Sequence, residues 1–319
     1  MVEEAGYLTL LSRVLNHGEK RQSRNGNTLS LFGEKLEFNL KTGFPLLTTK
    51  KVFLRGIAEE LFWFLRGSTN ANELIAKNVH IWDGNTSREF LDSVGLHHLM
   101  PGYLGAGYGH CWRSFGGDYP SVPGSGANCG VDQIRFILTE LSTNPHGRRA
   151  LLSAWNPCQL TKAALPPCHY AYQFYINENG LSCMCNCRSQ DLCAGTPFNI
   201  ASTALFTHLI AHLLGLEVDR IILMMGDAHI YEEHIENAHE QINRIPKNKP
   251  TLRILRDPPP NNWYTTRSDK DSETGESKLV LYNTSSIDEK IKWLETLKFE
   301  DIQIENYDSH PAIKYPMIA

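Results

Sequence analysis

The stretch ALPPCHYAYQFYI at residues 164–176 places one cysteine, Cys168, between a proline pair and a histidine, at the start of an alternating apolar run. Aromatic and β-branched residues dominate that run, so we expect a β-strand over 170–176. A cysteine held rigidly at the entrance of a strand can be aimed at a substrate, as a nucleophile must be. The alternative is an inert buried cysteine, and the residues that accompany Cys168 elsewhere in the chain argue against it.

The composition predicts a globular protein without a bias toward nucleic acid. The chain has 319 residues, of which 41% are hydrophobic, and a formal net charge of −4. An anionic ligand would therefore need a local cluster of arginines. No apolar run has the length of a membrane span, and the first residues lack the basic-then-apolar order of a signal peptide. We expect a cytoplasmic protein that binds neither membrane nor DNA.

The cysteines are predicted to be free thiols. Disulfide frameworks are typical of short exported chains, whereas this chain is long and shows no export signal. Cys183, Cys185 and Cys187 recur with a period of two, which places their side chains on one face of a strand. Structural zinc sites use paired loops instead, so we expect no metal.

The helix-like and strand-like segments of the sequence favour an α+β fold, in which helices cover a sheet. Apolar residues at helical spacing predict helices at 57–66 and 200–214, and Gly215 ends the second. Shorter runs typical of strands lie at 29–32, 150–154, 171–176, 181–187 and 221–225.

No repeat, low-complexity tract or linker divides the chain, so residues 1–319 are predicted to form a single domain. The stretch at about 257–288 stands apart as a polar insertion, because it opens with three prolines and continues with scarcely an apolar residue. Residues 278–282 could return from it as a strand. We assign the insertion no chemistry.

Several motifs accompany the cysteine in a fixed order. They are RR at 148–149, SAWNP at 153–157, RSQD at 188–191, GTPFNIAS at 195–202 and GDAHIY at 226–231. Together with the Pro-Pro-Cys-His element they resemble the thymidylate synthase family from about Leu10 to the C-terminus. The resemblance implies a thymidylate synthase-like three-layer subunit of sheet and helices that forms a homodimer through its large sheet.

The reaction that the resemblance implies is reductive methylation of dUMP at C5, with 5,10-methylenetetrahydrofolate as cosubstrate and dihydrofolate as by-product. Cys168 would add to C6 of the uracil, which makes C5 nucleophilic toward the methylene carbon. Arg188 and other phosphate-binding arginines are expected to lower the pKa of the Cys168 thiol. His169 is not expected to be the base, because consecutive strand residues face opposite ways.

The enolate charge that develops on O4 needs a hydrogen-bond donor already in place, and the resemblance gives this role to Asn199. A carboxamide donates to O4 and accepts from N3–H, which matches uracil, whereas cytosine presents the reverse pattern. An asparagine that caps a loop is the alternative. Glu60 resembles the acid that organises water and protons near O4, Tyr108 the tyrosine near C5, and Asp191 the aspartate that recognises the pterin.

Phosphate binding calls for forked, permanently charged donors. The implied dUMP-binding residues are Arg24, Arg148, Arg149, Arg188, Ser189, Gln173, Asn199, His229 and Tyr231. Arg148 and Arg149 are implied to come from the neighbouring subunit, and Arg21 competes with Arg24 for its role. The implied folate-binding residues are Trp82, Asn85, Asp191, Phe198 and Ala319.

Some positions depart from the family pattern on the folate side. Cys187, Ala194 and Thr203 stand where a polar residue, a leucine and a tyrosine are expected, and the chain ends IKYPMIA at 313–319 instead of in a tail like MEMAV. Methyl and hydroxymethyl products diverge at this side of the site, so 5-hydroxymethylation of dUMP is the alternative reaction. A catalytically silent nucleotide- or RNA-binding protein is the alternative from another class.

Overall fold

The structure is a computed structural model, and it describes residues 3–23, 25–120, 130–261, 263–270, 277–283 and 286–316. Its helices are α1 Glu3–His17, α2 Leu54–Leu65, α3 Asn72–Ile75, α4 Arg88–Ser93, α5 Tyr108–Ser114, α6 Gln133–Thr143, α7 Gly195–Leu214, α8 Ile235–Ile242 and α9 Ile287–Glu295. Its strands are β1 Glu19–Ser23, β2 Gly26–Asn39, β3 Leu151–Ser153, β4 His169–Asn177, β5 Gly180–Asp191, β6 Val218–Tyr231, β7 Thr251–Ile254, β8 Trp263–Lys270, β9 Ser277–Asn283 and β10 Ile302–Glu305.

The main sheet of the protein has six strands in the order β1-β2-β6-β5-β4-β3. β5 and β6 run parallel, while the other neighbouring strands in this sheet are antiparallel. A parallel pair needs a crossover connection, and α7 provides it between β5 and β6. The predicted α+β fold is confirmed, because helices pack on a largely antiparallel sheet.

The crossover helix α7 is the central element of the core. Its apolar residues lie on all sides and most of its residues are buried, so it is enclosed instead of showing one apolar stripe. It packs against α2, β5 and β6. Gly215 ends it in the left-handed conformation, with φ of 66°, which glycine adopts without a steric penalty. Both predicted helices are thus confirmed, as α2 and α7.

The predicted strand-like runs all correspond to strands of the six-stranded sheet, β2 to β6, although β3 is one residue shorter at each end than the predicted run at 150–154. The three cysteines of β5 share one buried face, with the sulfurs of Cys185 and Cys187 3.7 Å apart. The cysteines at the described positions are free, as predicted, and Cys129 lies outside those positions.

Large apolar side chains remain exposed on strands of this sheet. Phe32 on β2 is 85% exposed and Tyr175 on β4 is 55% exposed, and Leu151 and Met224 accompany them on β3 and β6. Isolated exposed apolar residues are common, but a group on one sheet indicates a contact surface.

The polar insertion forms a hairpin where it is described. β8 and β9 pair antiparallel, so the strand expected at 278–282 is confirmed within β9, and residues 271–276 lie outside the described part. The assignment of 1–319 to one domain stays a prediction. Among the described helices, none is both long and apolar enough to cross a membrane.

Candidate active site

A cavity of about 490 Å³ opens where β5 and β6 end and where the segment before β4 passes. Its walls bring together side chains that are far apart in sequence. Those expected from the sequence are Asn85, Cys168, Arg188, Ser189, Asp191, His229 and Tyr231.

Cys168 stands one residue before β4 and is fixed through its main chain. Its N–H donates to the hydroxyl oxygen of Tyr108 at 2.7 Å, and its carbonyl oxygen accepts from the N–H of Arg188 at 2.9 Å. The side chain is half-buried and lines the cavity. The thiol is therefore held in place and open to a ligand, which is what a nucleophile requires.

Arg188 is tied to the segment that carries the cysteine. Its Nε and Nη2 donate to the carbonyl oxygens of Pro167 and Pro166, both at 2.9 Å, and Nη2 lies 3.8 Å from the sulfur of Cys168. The guanidinium also lies over the ring of Trp155, 5.6 Å from its centroid. The carbonyl oxygens of the two prolines thus hold the Arg188 guanidinium next to the Cys168 thiol.

Arg188 acts to lower the pKa of the Cys168 thiol, as expected, but the pKa lies above its ordinary value overall. Burial raises the pKa of this thiol, and the nearby Arg188 only partly opposes that effect. The desolvation free energy of the buried thiolate exceeds the stabilisation that one guanidinium at 3.8 Å provides. The neutral thiol is therefore the resting form.

Tyr108 connects Cys168 to a small aromatic group. Its ring stacks on His169 at 4.3 Å, and His169 Nδ1 pairs with the hydroxyl of Tyr172 at 2.9 Å. Burial lowers the pKa of His169 to about 4, so the ring is neutral at pH 7. Reasoning from sequence missed Tyr172, because no motif marks a tyrosine that faces the core.

Glu60 lies on α2 behind this aromatic group. Trp82 Nε1 donates to its Oε1 at 2.7 Å. Burial raises the pKa of Glu60 to about 7, although the bond from Trp82 acts in the opposite direction. The carboxyl group can therefore hold or release a proton near neutral pH, which suits general acid–base work. Glu60, Trp82 and Tyr108 are not among the described residues that line the cavity.

Replacing Glu60 with glutamine is expected to flatten the pH dependence of stability. The pKa is about 7 in the folded protein against an ordinary 4.5, so the folded state binds more protons than the unfolded state between these values. The free energy of unfolding of the wild type therefore falls as the pH rises through that interval. Relative to Glu60→Gln, we expect a loss on the order of 1–3 kcal/mol between about pH 4 and pH 8, measured by urea unfolding.

The control for this experiment is Glu178→Gln, which changes an exposed carboxylate in the turn between β4 and β5. It should keep the wild-type slope. A Glu60→Gln variant with the same slope as the wild type would contradict the raised pKa.

Asn199 lies in the first turns of α7. Its Nδ2 donates to Oε1 of Gln190 at 3.1 Å, and Gln190 is almost fully buried. Asn199 is partly buried and is not among the described residues lining the cavity, and neighbouring Phe198 packs against the core. Nothing in the sequence pattern singled out Gln190.

Asp191 is held as a carboxylate at the end of β5. Its Oδ1 accepts from the N–H groups of Cys193 and Ala194 at 2.8 and 3.1 Å, and His234 Nδ1 lies 3.7 Å away. Burial acts to raise the pKa of Asp191, but the bonds and charge from His234 and the main chain lower it overall. His234 Nε2 donates to the carbonyl oxygen of Pro316 at 2.8 Å, so the imidazole joins Asp191 to the C-terminal segment.

Asp191, Cys193 and His234 also bring three potential metal ligands within 4.8 Å of one another. The carboxylate already accepts two main-chain bonds, and the Lys50 ammonium donates to the Cys193 carbonyl oxygen at 2.7 Å. A cation next to the ligands opposes a second one, so an ion pair between Asp191 and His234 is the better account of this cluster.

His229 and Tyr231 meet at the end of β6. Their rings pack edge to face with centroids 5.0 Å apart, and His229 Nδ1 lies 3.2 Å from Oδ1 of Asp227. The pKa of Asp227 is lowered chiefly by this histidine. Arg21 pairs with Asp227 at 3.3 Å on the exposed side, while Arg24 and Ala319 lie outside the described residues.

Besides Asn199, three described residues predicted to bind substrate are not at the cavity wall. Arg148 and Arg149 are exposed, with the side chain of Arg149 76% exposed and its Nε 3.4 Å from Glu140. Gln173 donates weakly to the Arg148 carbonyl oxygen at 3.5 Å. None of the three is among the described residues that line the cavity.

A fixed, half-buried cysteine beside an arginine, with a carboxylic acid of raised pKa nearby, is the arrangement typical of enzymes that use a cysteine nucleophile. Comparison with known sequences gives the family. The family model described as thymidylate synthase matches residues 5–319. The chain belongs to the thymidylate synthase family.

Relatives agree along nearly the whole chain. The thymidylate synthase of Homo sapiens is 42% identical over 315 residues, covering 98% of this chain and 90% of the relative. The thymidylate synthase of Equine herpesvirus 2 (strain 86/87) is 49% identical over 315 residues, covering 98% of each. The bifunctional dihydrofolate reductase-thymidylate synthase of Leishmania major is 43% identical over 319 residues, covering 99% of this chain and 55% of the relative.

Proposed function

We propose that the chain acts in the cytoplasm as a thymidylate synthase that converts dUMP to dTMP. The one-carbon unit and the hydride come from 5,10-methylenetetrahydrofolate, which leaves as dihydrofolate. The observation that carries the proposal is Cys168 fixed beside Arg188 in a cavity whose other walls carry Asp191 and His229. Membrane and DNA have no part in this chemistry.

The nucleotide would lie with its base toward Cys168. Arg188 and Ser189 at the cavity wall offer charged and hydroxyl donors for the phosphate, and Arg24 is proposed as a further donor. His229 and Tyr231, which meet in the same wall, suit the ribose 3′-hydroxyl.

The reaction needs the proton of Cys168 to leave before or during attack. The sulfur then bonds to C6, the electron pair moves through the ring toward O4, and C5 attacks the methylene carbon. Asn199 would donate to O4, while Glu60, poised near neutral pH, would exchange protons with O4 through water. Attack by C5 breaks one of the two bonds that join the methylene carbon to folate nitrogens. Loss of the C5 proton, with Tyr108 close by, expels the second nitrogen as tetrahydrofolate and leaves an exocyclic methylene on C5. Hydride transfer from tetrahydrofolate to this methylene intermediate expels Cys168 from C6 and gives dTMP and dihydrofolate.

The negative charge of Asp191 suits the part of the cavity where the pterin of folate would bind. Asp191 is ionised, lines the cavity and keeps acceptor capacity for ring N–H groups, and Asn85 lines the same wall. Trp82, Phe198 and Ala319 are proposed as the remaining folate contacts.

We further propose a homodimer that forms through the outer face of the six-stranded sheet, giving the three-layer arrangement. Exposed Phe32, Tyr175 and Met224 would be covered there. A second cavity of about 480 Å³ on that side shares Arg188 with the first and is lined by Phe32 and Trp155. Arg148 and Arg149, exposed in their own subunit, would complete the partner's phosphate site.

Hydroxymethylation of dUMP is the second candidate, because one departure from the family pattern falls on the cavity wall. Ala194 stands there in place of the expected leucine, and a smaller side chain leaves room for water. Water that reached the methylene intermediate would give a hydroxymethyl product instead of a methyl product.

Two measurements on the wild-type enzyme decide between these functions. Purified protein with dUMP and 5,10-methylenetetrahydrofolate is expected to yield dTMP by mass spectrometry, with equimolar dihydrofolate by absorbance. A 5-hydroxymethyl product without dihydrofolate would identify the hydroxymethylase. Binding of dUMP without any turnover would favour the silent binding protein.

A further inference from the structure

Gln190 lies between two residues of the cavity wall, Ser189 and Asp191, yet its own side chain is only 1% exposed. Its Oε1 accepts from Nδ2 of Asn199 at 3.1 Å. Its Nε2 lies at the start of α7, 3.5 Å from the place a Cβ would take on Gly195. The side chain therefore bridges the end of β5 and the first turns of α7.

The bond to Gln190 restricts the Asn199 carboxamide. A carboxamide has donors on one arm and an acceptor on the other, so its orientation decides which base edge it matches. One hydrogen of Asn199 Nδ2 is taken by Gln190, which leaves the second hydrogen and Oδ1 for a ligand. While Gln190 keeps its own orientation, a reversed Asn199 carboxamide would set Oδ1 against Oε1, two acceptors without a donor in a part-buried place, which is costly.

We propose that Gln190 is a positioning residue that fixes Asn199 in the orientation matching uracil and so raises the preference for dUMP over dCMP. The inference rests on the proposed role of Asn199 in base recognition. Gln190 itself contacts no substrate; it acts through the amide it holds.

The test compares two variants that differ in the acceptor. Gln190→Met has similar volume but no acceptor oxygen, whereas Gln190→Glu keeps one. We expect Gln190→Met to lower the ratio of kcat/KM for dUMP to that for dCMP by about fivefold. This factor corresponds to the net free energy of one neutral hydrogen bond. The buried carboxyl group of Gln190→Glu is expected to be neutral and to keep an acceptor oxygen, so this variant should lower the ratio less than Gln190→Met does. Gln303→Met, on exposed β10 surface, is the control and should leave the ratio unchanged.

Gln190→Ala removes the same acceptor without adding a thioether, and it gives the same comparison if Gln190→Met does not fold. An unchanged ratio in an active variant lacking the acceptor would overturn the inference, as would equal losses with both nucleotides, which indicate a purely structural role. These results leave dTMP synthesis by the wild type untouched. A wild type that makes no dTMP would instead contradict the proposed function, and the inference with it.

Discussion

Cys168→Ala is expected to lower dTMP formation by at least about four orders of magnitude, because the variant loses the atom that bonds to C6. Among the described residues, Cys168 is the cysteine that lines the cavity, so a neighbouring thiol cannot replace it. Wild-type protein incubated with 5-fluoro-dUMP and 5,10-methylenetetrahydrofolate should form a stable adduct, since fluorine blocks loss of a proton from C5. Peptide mass mapping should place that adduct on Cys168.

The matched control is Cys158→Ala, which removes an exposed cysteine and should retain activity. An adduct on Cys158 or Cys193 would rule out Cys168 as the nucleophile. The inactive subunit also tests the dimer, because it still carries Arg148 and Arg149. Mixed with Arg149→Ala subunits, it should regain activity in hybrid dimers, and a mixture that stays inactive after subunit exchange would contradict cross-subunit binding.

Asn199→Asp is expected to shift discrimination from dUMP toward dCMP by at least about tenfold, about 1.4 kcal/mol. A protonated carboxyl can donate to N3 of cytosine and accept from its amino group, a pattern the wild-type amide offers only when reversed. Steady-state kcat/KM values with both nucleotides measure the shift. The protonated form is favoured at lower pH, so the dCMP activity should increase as the pH falls.

The exposed Asn243→Asp variant supplies the same chemical change far from the cavity and should keep the wild-type ratio. An unchanged ratio in folded Asn199→Asp would remove Asn199 from base recognition. Gln190 would then lose its proposed role as well.

Much of the fold followed from local patterns. The helix at 200–214 and its stop at Gly215 depend on spacing and on one residue's conformational freedom, and the structure shows both. The strand after Cys168 depends on alternation over a few residues, and β4 begins at His169. The alternation of apolar and polar residues does not show which strands are neighbours, so it could not predict the parallel pairing of β5 with β6.

The site was less predictable because its electrostatics depend on enclosure. The sequence shows that an arginine accompanies Cys168, but not that burial outweighs it and raises the thiol pKa. The same holds for Glu60, whose raised pKa comes from packing. The contact between His234 and Pro316 joins residues 82 positions apart in the sequence, and a short motif cannot predict a contact over such a separation.

The C-terminal segment is held on α8 by the buried side chain of Tyr315, whose hydroxyl lies 2.9 Å from Oε1 of Gln241. Its main chain also accepts bonds from side chains near and on α8. The bonds run from Asn237 to the carbonyl oxygen of Lys314 at 2.8 Å, from His234 to that of Pro316 at 2.8 Å, and from Arg244 to that of Pro311 at 2.6 Å. Every amino acid carries a carbonyl oxygen, so substitutions in the segment leave these three acceptors in place. Substitutions at these three positions of the segment are therefore expected to cost less stability than substitutions of the three donors, whereas Tyr315 is tied by its own side chain.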